Sequence, residues 1–158
     1  MRTYWLKSIG STDDPQATDW VTSAPQELTE IHFPDKGKPS VSIGDYLVYY
    51  ASGTRRIVGI VEVDSATTYD SPERQWPWRC NVKAHLILGS IDERAPSLDE
   101  VLLPPHTTKS VMQQSHIQLS EEEYERALEA LESAFNSDKG DLLGSWPFFK
   151  TRLKKPPA

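Results

Sequence analysis

This sequence predicts an α+β fold, a small closed β-barrel with helical structure packed outside it, and three observations carry that expectation. Asp45–Ala51 and Arg56–Val63 are β-branched and aromatic runs, joined by Ser52-Gly53-Thr54-Arg55, a Gly-containing connection that suits a hairpin. Both faces of both runs are largely apolar, as expected of central strands covered on each side. Far downstream, Ser120 and Glu123 have the spacing of a capping box, and Leu119 and Tyr124 that of a hydrophobic staple.

The bulk numbers agree with one soluble domain. At 158 residues, with 37% hydrophobic and 25% charged side chains, the chain is long enough to bury its own core. Twelve prolines against eight glycines indicate a loop-rich chain with rigid turns. One cysteine, Cys80, excludes an internal disulfide and a Cys-rich zinc site, and its place in a strand-like run suits a buried, inert thiol. MRTYWLKSIG lacks the apolar region of a signal peptide, and no run approaches membrane length. A cytoplasmic protein with no membrane partner is therefore expected. The net charge of −6 opposes indiscriminate polyanion binding. That charge is concentrated in Glu121–Glu132, however, which leaves room for a local basic face.

In chain order, Thr3–Ser8 reads as a first strand, followed by a loop signal at Gly10–Pro15. Glu30–Phe33 suits a short strand stopped by Pro34, and Asp35–Ser42 a polar turn. In the central hairpin, Gly59 in mid-strand implies a sharp bend or a close backbone approach. After a polar connection, Trp76-Pro77-Trp78 leads into a strand at Arg79–Leu88. Trp78, Cys80, Val82, Ala84 and Leu86 share its inner face; Arg79, Asn81, Lys83 and His85 share the outer one. Ser97–Glu100 has capping-box spacing for a short helix ended by Pro104-Pro105. In the main helix, Tyr124, Leu128, Leu131 and Phe135 form one apolar stripe that ends near Asn136–Gly140. Residues 1–140 thus form the domain. Residues 141–158 form an aromatic and basic tail, with Trp146, Phe148 and Phe149, that offers a surface to a protein partner.

No catalytic constellation emerges. His32, His85, His106 and His116 show no metal-ligand spacing with one another or with Cys80, so neither a metal nor a cofactor is expected. No phosphate-loop pattern is present. The aromatic side chains say more: Tyr4, Trp5, Tyr46, Tyr49, Tyr50, Trp76 and Trp78 cluster on strands or at their starts. A strand cannot point both faces into one small core, so some of these rings lie outside it. Against plain packing stands an aromatic-walled slot able to stack a nucleobase, with Ser8, Ser52 and Asn81 near its edge. Trp76, in a Pro-stiffened turn, is the leading stacking ring. Lys7, Arg55, Arg56, Arg74 and Arg79 are placed to meet phosphates around it.

The order TYWLKS, IGDYLVYYASG, RIVGIVEV, WPWRCNVKA and LSEEEYERAL resembles the EVE domain, a branch of the PUA-like superfamily alongside YTH and ASCH domains. The resemblance spans Thr3–Leu131. It implies a PUA-like twisted, mostly antiparallel β-barrel of about five to six strands flanked by helices, with a pocket at its mouth. It also implies a non-catalytic nucleic-acid-binding module, for RNA or DNA, that accepts a flipped and modified base. Lys7 and Ser8 match the Lys-Ser that lines that pocket. Tyr50 and Ser52 match the aromatic and small polar positions closing the second long strand. Trp76 matches a cage tryptophan, supported by Trp78. Many EVE domains carry a Trp-Gly and an Asn/Arg-rich segment between the first and second strands; Glu30–Pro34 stands there instead, so one wall is missing or is replaced by His32 or Phe33. The ASCH branch, linked to ribonuclease activity, supplies the enzymatic alternative. A small-molecule or protein-interaction module on the same barrel is the alternative without nucleic acid.

Overall fold

In the computed structural model, the described residues are 2–9, 29–34, 36–51, 55–70, 76–88, 95–107 and 116–142, with side chains described up to Phe135. Strands β1 (Tyr4–Ile9), β2 (Glu30–Phe33), β3 (Tyr46–Ala51), β4 (Arg56–Val63), β5 (Thr68–Tyr69), β6 (Trp78–Ile87) and β7 (His116–Leu119) precede one helix, α1 (Glu121–Leu142). The strands form a single sheet in the order β2-β6-β4-β3-β1-β7, with β5 added to β6. Every pairing is antiparallel except β1 with β3, so the mixed sheet is mostly antiparallel, as expected.

The central hairpin has the predicted form. All six residues of β3 are buried, and β4 exposes little beyond its ends. Gly59 meets β6 closely. A Cβ built on it would lie 2.7 Å from Ile87 Cδ1 and 2.9 Å from the Leu86 carbonyl oxygen, so the backbones touch as the mid-strand glycine implied. Irregularities at Tyr49/Tyr50 and at Ile60/Val61 bend the sheet here.

Curling brings the two ends of the sheet face to face. Phe33 on β2 and His116 on β7 meet ring edge to ring face at 4.9 Å, although the two strands are at opposite ends of the hydrogen-bonded order. The closed barrel expected from sequence is therefore a half-barrel, with side chains rather than a ladder across its seam. The other face of the sheet is covered by α1. Tyr124, Leu128, Leu131 and Phe135 are buried as the apolar stripe predicts, and Tyr124 stacks on Tyr4 at 4.2 Å.

The starts of the parallel strands β1 and β3 are tied together by Asp45. Its carboxylate accepts the Trp5 indole N–H at 3.0 Å and the backbone N–H groups of Thr3 (3.0 Å) and Ser42 (2.9 Å). The helix start follows the predicted capping box: Glu123 N–H donates to Ser120 Oγ (3.1 Å) and Ser120 N–H to Glu123 Oε1 (3.0 Å). Two expectations need correction. Ser97 makes no side-chain cap, and Leu98–Glu100 is only a 3-10 turn, too short for its spacing to nucleate a helix. The main helix runs past Gly140 to Leu142, because one glycine costs only about 1 kcal/mol and need not end a helix. The boundary placed at 140/141 thus falls inside α1, and the remainder of the tail, 143–158, lies outside the described residues.

Glu123 also links α1 to the preceding loop, accepting the Leu103 N–H at 3.0 Å and facing His106 Nδ1 at 2.9 Å. Burial alone would raise its pKa. The N–H groups of Leu103 and Ser120 and the His106 ring outweigh that and hold it below the ordinary carboxylate value. A depressed folded-state pKa stabilises above the unfolded value, about 4.3, and that stability is lost as pH falls through the folded one. Glu123→Gln is therefore expected to lower unfolding free energy at pH 7 by about 1–2 kcal/mol and to flatten its decline below about pH 4.5. Urea titrations from pH 3 to 7 check this; an equally steep acid limb in the variant would remove Glu123 as its source.

Candidate functional site

The seam between the two sheet ends gathers the groups with the most chemical character. Alternation along β1 points Trp5 and Lys7 to the concave side, while Tyr4, Leu6 and Ser8 point toward α1. Lys7 is 3% exposed, and its Nζ donates to the Ser8 carbonyl oxygen at 2.8 Å. The same ammonium lies 5.3 Å from the Phe33 ring centre and 5.6 Å from that of Trp76. Trp76 is 39% exposed, so its ring joins a buried cation on one side to solvent on the other. His116 packs against both Phe33 and Trp5, the latter at 5.5 Å. Burial, and then the charge of Lys7, push its pKa down to about 4, so the imidazole is neutral at pH 7. Cys80 nearby is a protonated thiol, its pKa pushed up to about 12, mainly by burial.

Lys7, Phe33 and Trp76 are thus brought together. The other expected residues separate from them. Ser8 pairs in register with Tyr50, and the two side chains hydrogen-bond on the α1 side of the sheet. Tyr50 is 1% exposed and cannot present a ring face to a ligand there. The register partner of Lys7 is Tyr49. His32 points away from Phe33, as strand alternation requires, and its Nε2 meets Glu30 Oε1 at 2.9 Å. Of the two candidates for the missing wall, Phe33 is the one at the seam. Trp78 packs on the core and against Tyr69 at 5.1 Å, a support rather than a wall.

The described arginines of that set, Arg55, Arg56 and Arg79, do not form one cluster. Arg79 lies on the outer face between Glu30 and Asp70, at 3.5 Å from each. Arg56 donates to the Ala95 carbonyl oxygen. Arg55 is exposed, in a left-handed conformation at the hairpin turn with φ 60°. Ser52 and Arg74 lie outside the described residues.

Sequence reading passed over His116 and the backing role of Trp5. The alternation of His116 and Gln118 with Ile117 and Leu119 was a usable strand signal, but four residues are short for it. Among the described residues, no group of His, Cys, Asp and Glu side chains is placed to hold a metal ion, and no helix is long and apolar enough to cross a membrane.

Solved structures resemble this arrangement over most of its length. A hypothetical protein from Leishmania major matches with TM-score 0.56 and 19% identity, covering 84% of this chain and 96% of that one. The YTH domain of the Zygosaccharomyces rouxii MRB1 protein, solved in complex with N6-methyladenosine RNA, matches with TM-score 0.52 and 12% identity, covering 82% and 86%. The chain shares the fold of this YTH domain. The Mmi1 YTH domain in complex with RNA agrees, with TM-score 0.58 and 9% identity, covering 86% and 81%. No family model matches the chain, and no curated protein does. At such identities the likeness is one of fold.

Proposed function

We propose that this chain is a non-catalytic nucleic-acid-binding module that receives a flipped, modified base against Trp76, with the Lys7 ammonium at the base edge. The observation that carries this reading is the exposed Trp76 ring lying over a buried cation at the seam of the half-barrel. Two neighbours of the same fold were solved with RNA, one carrying N6-methyladenosine, which supports RNA as the polymer. Stacking on an indole is worth about 1–3 kcal/mol per base, comparable to the few kcal/mol needed to extrude one. Phe33 and the neutral His116 supply the remaining walls. Of the described arginines expected at phosphates, Arg55 is exposed, while Arg56 and Arg79 already hold protein oxygens. Binding therefore rests on one base more than on many phosphates. The tail, 141–158, is proposed as the contact for a protein partner.

Short single strands of RNA, with and without N6-methyladenine or 5-methylcytosine, test the reading by tryptophan quenching at two salt concentrations. We expect saturable quenching that prefers one modified strand and falls only shallowly with salt, because few counterions are released. Weak quenching that disappears with salt and ignores the modification would overturn it.

A further inference from the structure

Resting on that reading, we infer that Tyr69 forms a second subsite beside the first, which stacks the unpaired base next to the flipped one. The ligand is then two neighbouring nucleotides of a single strand rather than one isolated base. Among the described residues, three large hydrophobic side chains are exposed: Ile43, Tyr69 and Trp76. Two of these are aromatic, and the fold sets both at one corner of the sheet.

Phe33 on β2 and Tyr69 on β5 flank Trp78 of β6 from its two edges, each as its register partner. Side chains paired across strands share a face, so Phe33, Trp78 and Tyr69 form one row. The row runs outward from the seam. Phe33 is fully buried, Trp78 half-buried and Tyr69 41% exposed, and the last two rings meet edge to face at 5.1 Å. Trp76 precedes Trp78 by two residues and, like Phe33, stands beside the Lys7 ammonium. The Asp70 N–H donates to the Pro77 carbonyl oxygen at 2.8 Å, which ties the residue after Tyr69 to the residue after Trp76. Tyr69 is therefore a diagonal cross-strand neighbour of Trp76, a relation that spans about 7–8 Å.

Two rings set that far apart do not share one base. Successive nucleotides of a stacked strand advance about 3.4 Å, so a strand that reaches both rings is unstacked, with each base on its own ring. Splayed bases on separate aromatic side chains are how single-stranded RNA is commonly held. Extruding one base also strips its neighbour of a stacking partner, and Tyr69 supplies a replacement. Asp70, the acidic residue beside this ring, is paired with Arg79 at 3.5 Å, which offsets its repulsion of a passing phosphate. The Trp78 indole N–H, next to Tyr69, is buried without a hydrogen-bond partner in the protein. Such a group is rare unless water or a ligand completes it, a second sign that this corner is finished from outside the chain.

Short RNA strands with N6-methyladenine or 5-methylcytosine at one central position are titrated into the full chain at pH 7 and moderate salt. Each is accompanied by two versions with an abasic residue just 5′ or just 3′ of the modified base, and anisotropy of the labelled strand reads the affinities. For a strand that binds, an abasic residue on one side is expected to weaken binding about tenfold, the loss of one stacked base. Tyr69→Ala should weaken the intact strand by a similar factor and remove its sensitivity to that missing base. Tyr69→Phe, which keeps the ring, should behave as the wild type does.

A wild type indifferent to both abasic residues overturns the second subsite and leaves the flipped-base reading standing. A Tyr69→Ala protein that still loses tenfold on the abasic strand overturns it too, because the neighbouring base then rests elsewhere. If Tyr69→Ala does not fold, Tyr69→Leu, which fills the corner without a stacking face, takes its place in the comparison. Failure of both intact strands to bind the wild type removes the nucleic-acid reading and the second subsite together.

Discussion

Trp76→Ala is expected to weaken binding of a modified single strand to the full chain by about tenfold or more, with the urea midpoint unchanged. The two halves of that expectation have separate causes. A ring that is 39% exposed and set just before β6 contributes little buried area to the core, so its removal leaves folding nearly untouched. Its ring is the exposed one among the described aromatic residues placed at the seam, and losing about 1.4 kcal/mol of stacking is already tenfold. Trp76→Phe should fall between, since a smaller ring keeps part of the stack. Anisotropy of a labelled strand is the suitable readout, because the variant also loses a fluorophore. An unchanged affinity would take Trp76 out of the site.

The second large effect falls on stability. Asp45→Ala is expected to destabilise the protein by roughly 3 kcal/mol, from orphaned donors at about 1–3 kcal/mol for each that stays buried. Three donors lose their acceptor at once: the indole N–H of Trp5 and the backbone N–H groups of Thr3 and Ser42. The damage also reaches the seam, since Trp5 is the ring against which His116 rests. Asp45→Asn retains one oxygen and should lose about half as much. Equilibrium urea unfolding at pH 7 measures both, and a loss under 1 kcal/mol in the alanine variant would mean that water replaces the carboxylate.

Where local pattern and tertiary demand coincide, the sequence was a good guide. The β3–β4 pair combines β-rich runs with apolar faces on both sides, and the structure keeps both strands and their antiparallel pairing. The Ser120–Glu123 cap was equally legible, because a capping box is closed by residues three apart. β7 was not, since four residues pair with β1 across more than a hundred positions of chain, and nothing local records the partner. The site was legible in its residue types and less so in their directions. Lys7 and Ser8 are adjacent on one strand, so strand alternation turns their side chains to opposite faces, while the Ser8 carbonyl stays beside the Lys7 ammonium. His116 belongs to the site through the curl of the sheet, a property of the whole sheet rather than of any segment.

The parallel pairing of β1 with β3 has a consequence for how the chain is made. β1 is the earliest strand to leave the ribosome, yet both its neighbours, β3 and β7, come later, and β7 pairs Tyr4 with Leu119. Synthesis can finish the β3–β4–β6 centre while β1 still has one edge bare. Such distant contacts slow folding, because a long loop must close before they are rewarded. Lys7, Phe33, Trp76 and His116 come from four separate stretches of chain, so the seam exists only once the last of them has arrived. A partly synthesised chain can hold much of the core while the seam is still unformed, so the proposed binding would report on completed folding rather than on collapse.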